Sequence, residues 1–428
     1  MGKLFDKLKI AFDTGFFHIM ICNVINNIFA FIAGVMLVRI VSKDEYGIFA
    51  YANNTLSYFL LFSGLGMTSA VFQVCCECRD QEKKAQSVFG YGFRCGYAVN
   101  LLLSLVILGY SLLFGGSIRG TGTYLACMSF LPVVNITLEY ITIYFRSRMD
   151  NKRYAYILII NSALVCVCSI SGALLFGVYG IIISNYLTPI LCFMIARLFL
   201  EYDFVLWGKR LAKKMKADLW KMAVTAMGSN AISSLMYLID ISMVGMFMRD
   251  EKAVASYKIA TTIPTALNFI SLAVITYIYP YFASHIDDIK WTKSMVKKLI
   301  LGACALFGMI SFGMFALADV IVPIIFGAQY QDAVPVFRIL SVSFFFQSAF
   351  RVIFGNLLVT QRKLNFNLIE SILTGIVNIA GDYILIRQFE AVGVALATLM
   401  VMVFSGMLSM IYYLYALRKK EKMLEGSI

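Results

Sequence analysis

The chain has 428 residues, 60% apolar and only 14% charged, with a formal net charge of +13, whereas an average soluble domain carries about 25% charged residues. That composition excludes a cytosolic globule. The absence of any polar stretch longer than about twenty residues leaves no room for a separate catalytic domain.

In chain order, Lys3, Lys7 and Lys9 precede the first apolar run, and no small-residue cleavage site follows them, so the N-terminal segment reads as a retained anchor. Apolar runs predict spans over 15–38, 48–74, 88–114, 123–145, 154–176, 180–200, 222–247, 257–282, 299–325, 336–359, 367–386 and 391–416. The reading is an all-α integral membrane protein with twelve transmembrane helices. An even number of crossings puts both termini on one side, and the segments on that side hold most of the Lys and Arg, which makes it cytoplasmic. The net charge is therefore a topology signal and an attraction to anionic lipid headgroups, and nucleic acid is not an expected partner. The longest connection, Glu201 to Lys221, interleaves Lys209, Arg210, Lys213, Lys214 and Lys216 with Phe204, Trp207, Leu211, Met215 and Trp220. It reads as an interfacial amphipathic linker between an N-terminal lobe, 1–200, and a C-terminal lobe, 222–428. The ten cysteines, with Cys75, Cys76 and Cys78 beside one span and Cys166 and Cys168 within another, lack metal-ligand spacing and read as small apolar residues. No metal or cofactor is expected.

An internal repeat organises these spans. Residues 22–29 (CNVINNIF) align with 229–236 (SNAISSLM), an offset of 207. Phe49–Ala52 falls on Tyr257–Ala260 (208), Asn151–Arg153 on Gln361–Lys363 (210) and Tyr179–Ile181 on Val392–Val394 (213). An offset that drifts slowly and keeps order is what duplication with small insertions leaves. Six spans per half preserve orientation, so the halves should form two six-helix bundles related by a pseudo-two-fold axis along the membrane normal, an arrangement used for alternating access.

Polar residues at bilayer depth are the candidate site. Span one carries Asn23, Asn26, Asn27, Ala30 and Gly34 on one face, and span seven carries Asn230, Ser233, Tyr237, Asp240 and Ile241 on the corresponding face. Either stripe serves as interhelical packing or as a cavity lining. Arg351 in span ten shares a face with Gln347 and Gly355, about 12 Å inside the boundary at 1.5 Å rise per residue. Arg94 in span three, beside Gly90 and Tyr97, lies at a similar depth. Each arginine must pair, snorkel or bind an anion, with Glu139 and Glu370 as available partners. Asp240 stands out as the acidic residue far from both ends of its helix, and it either binds a proton or sodium ion or pairs with a cation. His18 reads as an interfacial side chain, and Arg39, Arg249, Lys258 and Asp382 as charges near the outer boundary.

The stretch 33–73 (AGVMLVRIVSKDEYGIFAYANNTLSYFLLFSGLGMTSAVFQ) resembles the opening of polysaccharide repeat-unit flippases of the multidrug/oligosaccharidyl-lipid/polysaccharide superfamily. Tyr237–Asp240, Ala255–Ala260, Phe326–Tyr330 with Ala333, and Val392–Ala395 are similar to the family's pattern in its order. Ser42-Lys43-Asp44-Glu45 departs from the family's proline-containing form ahead of Tyr46-Gly47. The resemblance covers residues 14 to about 416 and marks loops and helix ends, not reaction chemistry. It implies a non-enzymatic flippase of the bacterial plasma (inner) membrane. Such a protein moves undecaprenyl-pyrophosphate-linked oligosaccharide units to the outer leaflet and partners with the lipid-linked substrate, membrane lipids and polysaccharide polymerase machinery.

Its pyrophosphate would meet Arg94 and Arg351, since guanidinium groups grip phosphate oxygens in bidentate fashion. Asn23, Asn26, Asn230 and Gln347 would meet the sugar or pyrophosphate. Three alternatives stand beside this one: a cation-coupled multidrug antiporter of the same superfamily, a major-facilitator-type carrier, and a membrane-embedded glycan polymerase or ligase. The connection Cys75–Gln86 lacks the major-facilitator Gly-x-x-x-Asp-Arg pattern, and a polymerase would want a large exterior loop where this chain has short ones.

Overall fold

The computed structural model describes residues 16–78, 81–200, 202, 211–285, 288–361 and 364–425. Lys3, Lys7 and Lys9, the linker over 203–210 and the Arg362-Lys363 pair lie outside the described residues, as do the side chains of His18, Ser233 and Tyr237. Among the described residues every regular element is helical. This is the expected solution for an apolar chain, because a helix satisfies its own backbone where no water is available. Eight described helices are long and apolar enough to cross a membrane, or nine when the bent pair Thr121–Met128 and Leu131–Ser147 counts as one span.

Helix α1 (Phe16–Ile40) leads to α2 (Lys43–Leu60). The Ser42 side chain caps α2 by accepting from the Glu45 backbone N–H at 3.3 Å, and Asp44 and Glu45 in its first turn complement the helix dipole. The segment 48–74, read from sequence as one span, is broken. Gly64, Leu65 and Gly66 take φ of 53°, 45° and 75°, separating α2 from α3 (Met67–Glu77). The freed backbone is met by the fully buried Asn100 of α4 (Glu82–Leu113). Its Oδ1 accepts from the Gly64 N–H at 2.6 Å, while its Nδ2 donates to the Pro132 carbonyl at 2.8 Å. Glycine is required at Gly66, where an added Cβ would fall on the carbonyl of Ala223.

After α5 (Thr121–Met128) and α6 (Leu131–Ser147), α7 (Asn151–Phe199) runs for 49 residues, about 73 Å if straight, more than twice the roughly 30 Å hydrocarbon core. It folds back on itself at Gly177 (φ 58°, ψ −137°). Ser184 Oγ donates to the Cys168 carbonyl across the hairpin at 2.6 Å, and a Cβ at Gly180 would fall on the Gly172 carbonyl.

The chain continues through α8 (Lys213–Met248), α9 (Glu251–Ser284), α10 (Ile289–Ala316), α11 (Ala318–Phe326), α12 (Val334–Phe346), a π-helical turn (Gln347–Val352) and α13 (Ile353–Thr360). The last helix, α14 (Leu364–Glu425), also holds two apolar stretches and turns at Glu390 (φ 53°, ψ −136°). Gly177 and Glu390 thus share one backbone conformation 213 residues apart, the same offset that aligns Tyr179–Ile181 with Val392–Val394.

The chain divides into two compact units, Met1–Leu238 and Ile239–Ile428. The core of the first is built on Met67, Val71, Phe89, Tyr140 and Tyr144, and it extends to Tyr202, Leu219 and Ala223. The basic segment 213–221 therefore forms the opening turns of α8, with its apolar side seated in the first unit, Lys213, Lys214 and Lys221 exposed and Lys216 half-buried.

Candidate functional site

In the first unit Arg94 is half-buried on α4, and its Nε donates to the Gly90 carbonyl one turn earlier at 3.2 Å. Tyr91, one turn from Arg94 on the same face, accepts from Trp220 Nε1 at 3.2 Å, and the Lys216 ammonium lies 5.2 Å from its ring centroid. Two cations therefore gather around one tyrosine at this end of α4. Sequence reading placed Arg94 in the site, Lys216 and Trp220 only in the interfacial linker, and did not name Tyr91, because their meeting depends on how α8 packs. Glu139 on α6 is half-buried, with the Thr68 hydroxyl in hydrogen-bonding reach.

The span-one stripe divides in its uses. Asn26 accepts from Ser162 Oγ at 2.8 Å and donates to Cys22 Sγ, tying α1 to α7. Asn23 is exposed, and its carbonyl accepts from Asn27 of its own helix at 2.9 Å. Asn230 is exposed on α8.

In the second unit Gln347 and Arg351 both fall within the π-helical turn, an uncommon backbone that concentrates at functional sites. Arg351 is half-buried, and its Nη1 donates to Met402 Sδ at 3.2 Å, a weak acceptor for so strong a donor. Gly406 lets α14 approach this turn: an added Cβ would stand 3.2 Å from the Phe346 carbonyl and 3.4 Å from the Arg351 nitrogen. Glu370, 6% exposed, accepts a hydrogen bond from Ser405.

Asp240 is surrounded by polar groups. Thr398 Oγ1 donates to it at 2.8 Å, the Tyr257 hydroxyl at 3.1 Å and Asn378 Nδ2 at 3.4 Å. The same Asn378 nitrogen lies 3.4 Å from Asp382 Oδ2. Asp382 is 0% exposed, and its Oδ1 has no hydrogen-bond partner among the described residues. The sequence reading of Asp382 as a boundary charge is thus corrected: burial in the second unit places it beside Asp240, and Asp240 is not alone at depth. Asn378 and Asp382, four apart on one helix face, carried the available signal; Tyr257 and Thr398 carried none that distinguished them. Two carboxylates sharing one amide, Asp382 buried and Asp240 half-buried, repel unless a proton or a small cation stands between them. The donor set of carboxylate, amide and hydroxyl oxygens suits a hard monovalent cation and offers nothing to a soft metal. Among the described residues no group of three His, Cys, Asp or Glu could hold a metal ion.

No curated protein matches the sequence. Among solved structures, an inward-facing multidrug resistance MATE family transporter of the MOP superfamily matches with a TM-score of 0.75 at 14% identity, covering 93% of this chain and 96% of that one. The lipid II flippase MurJ, in an inward closed conformation, matches with a TM-score of 0.71 at 16% identity over 93% of this chain and 87% of that one. An outward-facing MATE transporter matches at 0.62 and 13% identity, covering 95% of each chain. At these identities the likeness concerns fold. Residues 36–335 match the profile of a family described as polysaccharide biosynthesis protein. With that match extending over most of its length, the chain belongs to the polysaccharide biosynthesis protein family, and its fold is similar to those of the MATE transporter and MurJ structures.

Proposed function

We propose that the protein is a flippase that carries undecaprenyl-pyrophosphate-linked oligosaccharide units from the inner to the outer leaflet of the bacterial plasma membrane by alternating access. It would use twelve spans in two six-helix bundles, with both termini cytoplasmic. The observation that carries this reading is membership of a polysaccharide biosynthesis family by a chain whose fold is a transporter's. Arg94 with Lys216, and Arg351 in its π-helical turn, supply the charge that a pyrophosphate requires. Neutral amides at Asn23, Asn230 and Gln347 supply sugar contacts, while Asn26, read from sequence as a further contact, is held in the α1–α7 packing. Flipping makes and breaks no bond, so the chain needs positioning groups and an energy source but no nucleophile.

The energy source proposed is an ion gradient acting at Asp240, with Asp382, Asn378, Thr398 and Tyr257 completing its surroundings. A proton or a sodium ion held there would offset one of the two carboxylate charges and relieve their repulsion, and its release would restore a repulsion that biases the second unit toward another packing. Glu139 and Glu370 act as charge partners or satisfied buried acids.

The test is a strain in which this gene is the sole exporter. Arg94→Ala and Arg351→Ala, expressed at normal levels, lose surface glycan while lipid-linked precursor accumulates on the inner leaflet. Normal glycan in both variants overturns the anion-binding role. The second reading, a cation-coupled multidrug antiporter, is favoured by the likeness to MATE transporters and by the Asp240 group. Drug resistance conferred by the wild-type chain and lost in Asp240→Asn, with glycan export unaffected by its deletion, would establish it instead.

A further inference from the structure

The second unit carries an apolar groove of about 470 Å³ between α9 and α10, far in sequence from the arginines and from Asp240. Tyr277 and Tyr281 line it from α9, and Trp291, Lys298, Gly302 and Leu306 from α10. Trp291 is held rigidly by stacking on His285 (centroids 4.2 Å) and by an edge contact with Phe282 at 5.5 Å. Tyr277 and Tyr281 are 70% and 48% exposed although both are large aromatics. The groove thus has a fixed shape and an unfilled interior, in the roughly 300–1,000 Å³ range of specific ligand sites.

Its charge is one-sided. Lys298 shares the α10 face that carries Trp291, Met295 and Gly302, and no carboxylate pairs with it among the described residues. The neighbouring Lys293, by contrast, is taken by Glu421 at 2.6 Å. Lys290 and Lys297 are exposed beside it. All lie near the α9–α10 connection, on the side to which the positive-inside rule assigns both termini. Tyr and Trp at that level are the residues that sit among headgroups. Lys298 lies midway along the lined stretch of α10, with Trp291 and Met295 toward the α9–α10 connection and Gly302, Leu306 and Phe307 beyond it, and a cation above an apolar stretch is complementary to an anionic head on an apolar chain. At roughly 30 Å³ for each water-sized group, the space takes about one acyl chain. A polyprenyl carrier several times longer does not fit within it.

We propose that this groove is a binding site for an anionic phospholipid of the surrounding leaflet, its acyl chain lying between α9 and α10 and its phosphate on Lys298. The proposal rests on the chain spanning a membrane and is independent of the flippase reading.

The full-length protein, reconstituted in phosphatidylcholine vesicles, tests it by quenching with brominated lipid. The Trp291 signal is taken as the difference between wild type and Trp291→Phe. Brominated phosphatidylglycerol quenches Trp291 at roughly fivefold lower mole fraction than brominated phosphatidylcholine, the preference one lysine confers near a bilayer surface. Lys298→Ala brings the two curves together. Gly302→Leu, at a position where an added Cβ meets nothing within 4 Å, fills the groove and lowers quenching by both lipids without changing the melting temperature. Coincident curves for the wild type, or a preference that survives Lys298→Ala, overturn the proposal. So does displacement of the brominated lipid by equimolar short-chain polyprenyl pyrophosphate, which would assign the groove to the transported substrate.

Discussion

The two folded-back helices, α7 in the first unit and α14 in the second, have the same backbone and opposite chemistry. Each turns at a residue with φ near 55° and ψ near −136°, Gly177 in one and Glu390 in the other. Three residues later each has a glycine pressed on a carbonyl, Gly180 on Gly172 and Gly393 on Leu385. Apart from the Asp150–Arg153 pair at its start, the polar contacts named on α7 are neutral: Asn26 with Ser162, Ser184 with Cys168, Cys192 with Asn161. Within α14, besides the Lys293–Glu421 pair near its end and the Arg387–Tyr383 contact, they involve buried acids: Asp382 and Asn378 with Asp240, and Ser405 with Glu370. Each hairpin holds its geometry because backbone contact tolerates no side chain, whereas the polar positions are free to differ. On the function proposed above, the first unit's bonds are packing glue and the second unit's form the ion-binding centre.

The comparison breaks most severely at the glycines. Gly180→Val and Gly393→Val should each destabilise the protein by about 3 kcal/mol or more, because the new side chain must displace backbone and not a mobile neighbour. Loss of the monodisperse peak and a collapse of the melting temperature in detergent would check this. Survival of one variant with failure of the other would show that the hairpins are not equivalent.

The next effect separates the units chemically. Asp240→Asn and Asp382→Asn should each reduce gradient-driven transport at least about tenfold, equivalent to about 1.4 kcal/mol, with normal folding. Asn26→Ala should change it by no more than about threefold, since an interhelical hydrogen bond in a membrane averages about 0.6 kcal/mol. Transport into vesicles with an imposed ion gradient measures both, and an Asn26→Ala defect as large as the Asp240→Asn defect would remove the asymmetry.

The smallest effect sharpens it. Glu390 occupies a conformation that glycine takes without strain, so Glu390→Gly should stabilise the second unit by about 1 kcal/mol, and Gly177→Glu should destabilise the first by a similar amount. Thermal melting checks the sign. A loss of stability in Glu390→Gly would mean that contacts of the Glu390 side chain outweigh the backbone strain.

Much of this fold was legible in the chain. Apolar runs longer than a bilayer can be read without knowing any contact, and the pairing of Tyr179–Ile181 with Val392–Val394 located the turn that Gly177 and Glu390 share. The break at 63–66 was hidden because Ser63-Gly-Leu-Gly66 is apolar enough to pass as membrane helix, and the side chain that satisfies it, Asn100, lies 36 residues away. Arg94, Arg351 and Asp240 were visible as polar residues at unusual depth. Their surroundings were not: Lys216 reaches Tyr91, and Asn378, Asp382, Tyr257 and Thr398 reach Asp240, only through packing.

Hydropathy, the count of cations on each side and the order of the repeat are properties of local sequence, since partition into lipid acts on each segment in turn. They determine that this is a helical membrane protein, and they predict that it is duplicated, with guanidinium groups and a carboxylate within the bilayer. Which of those charges acts with which partner is decided by tertiary structure. A carboxylate's role depends on the atoms within a few ångströms of it, and those atoms come from helices more than a hundred residues apart, as Thr398 and Asn378 do at Asp240.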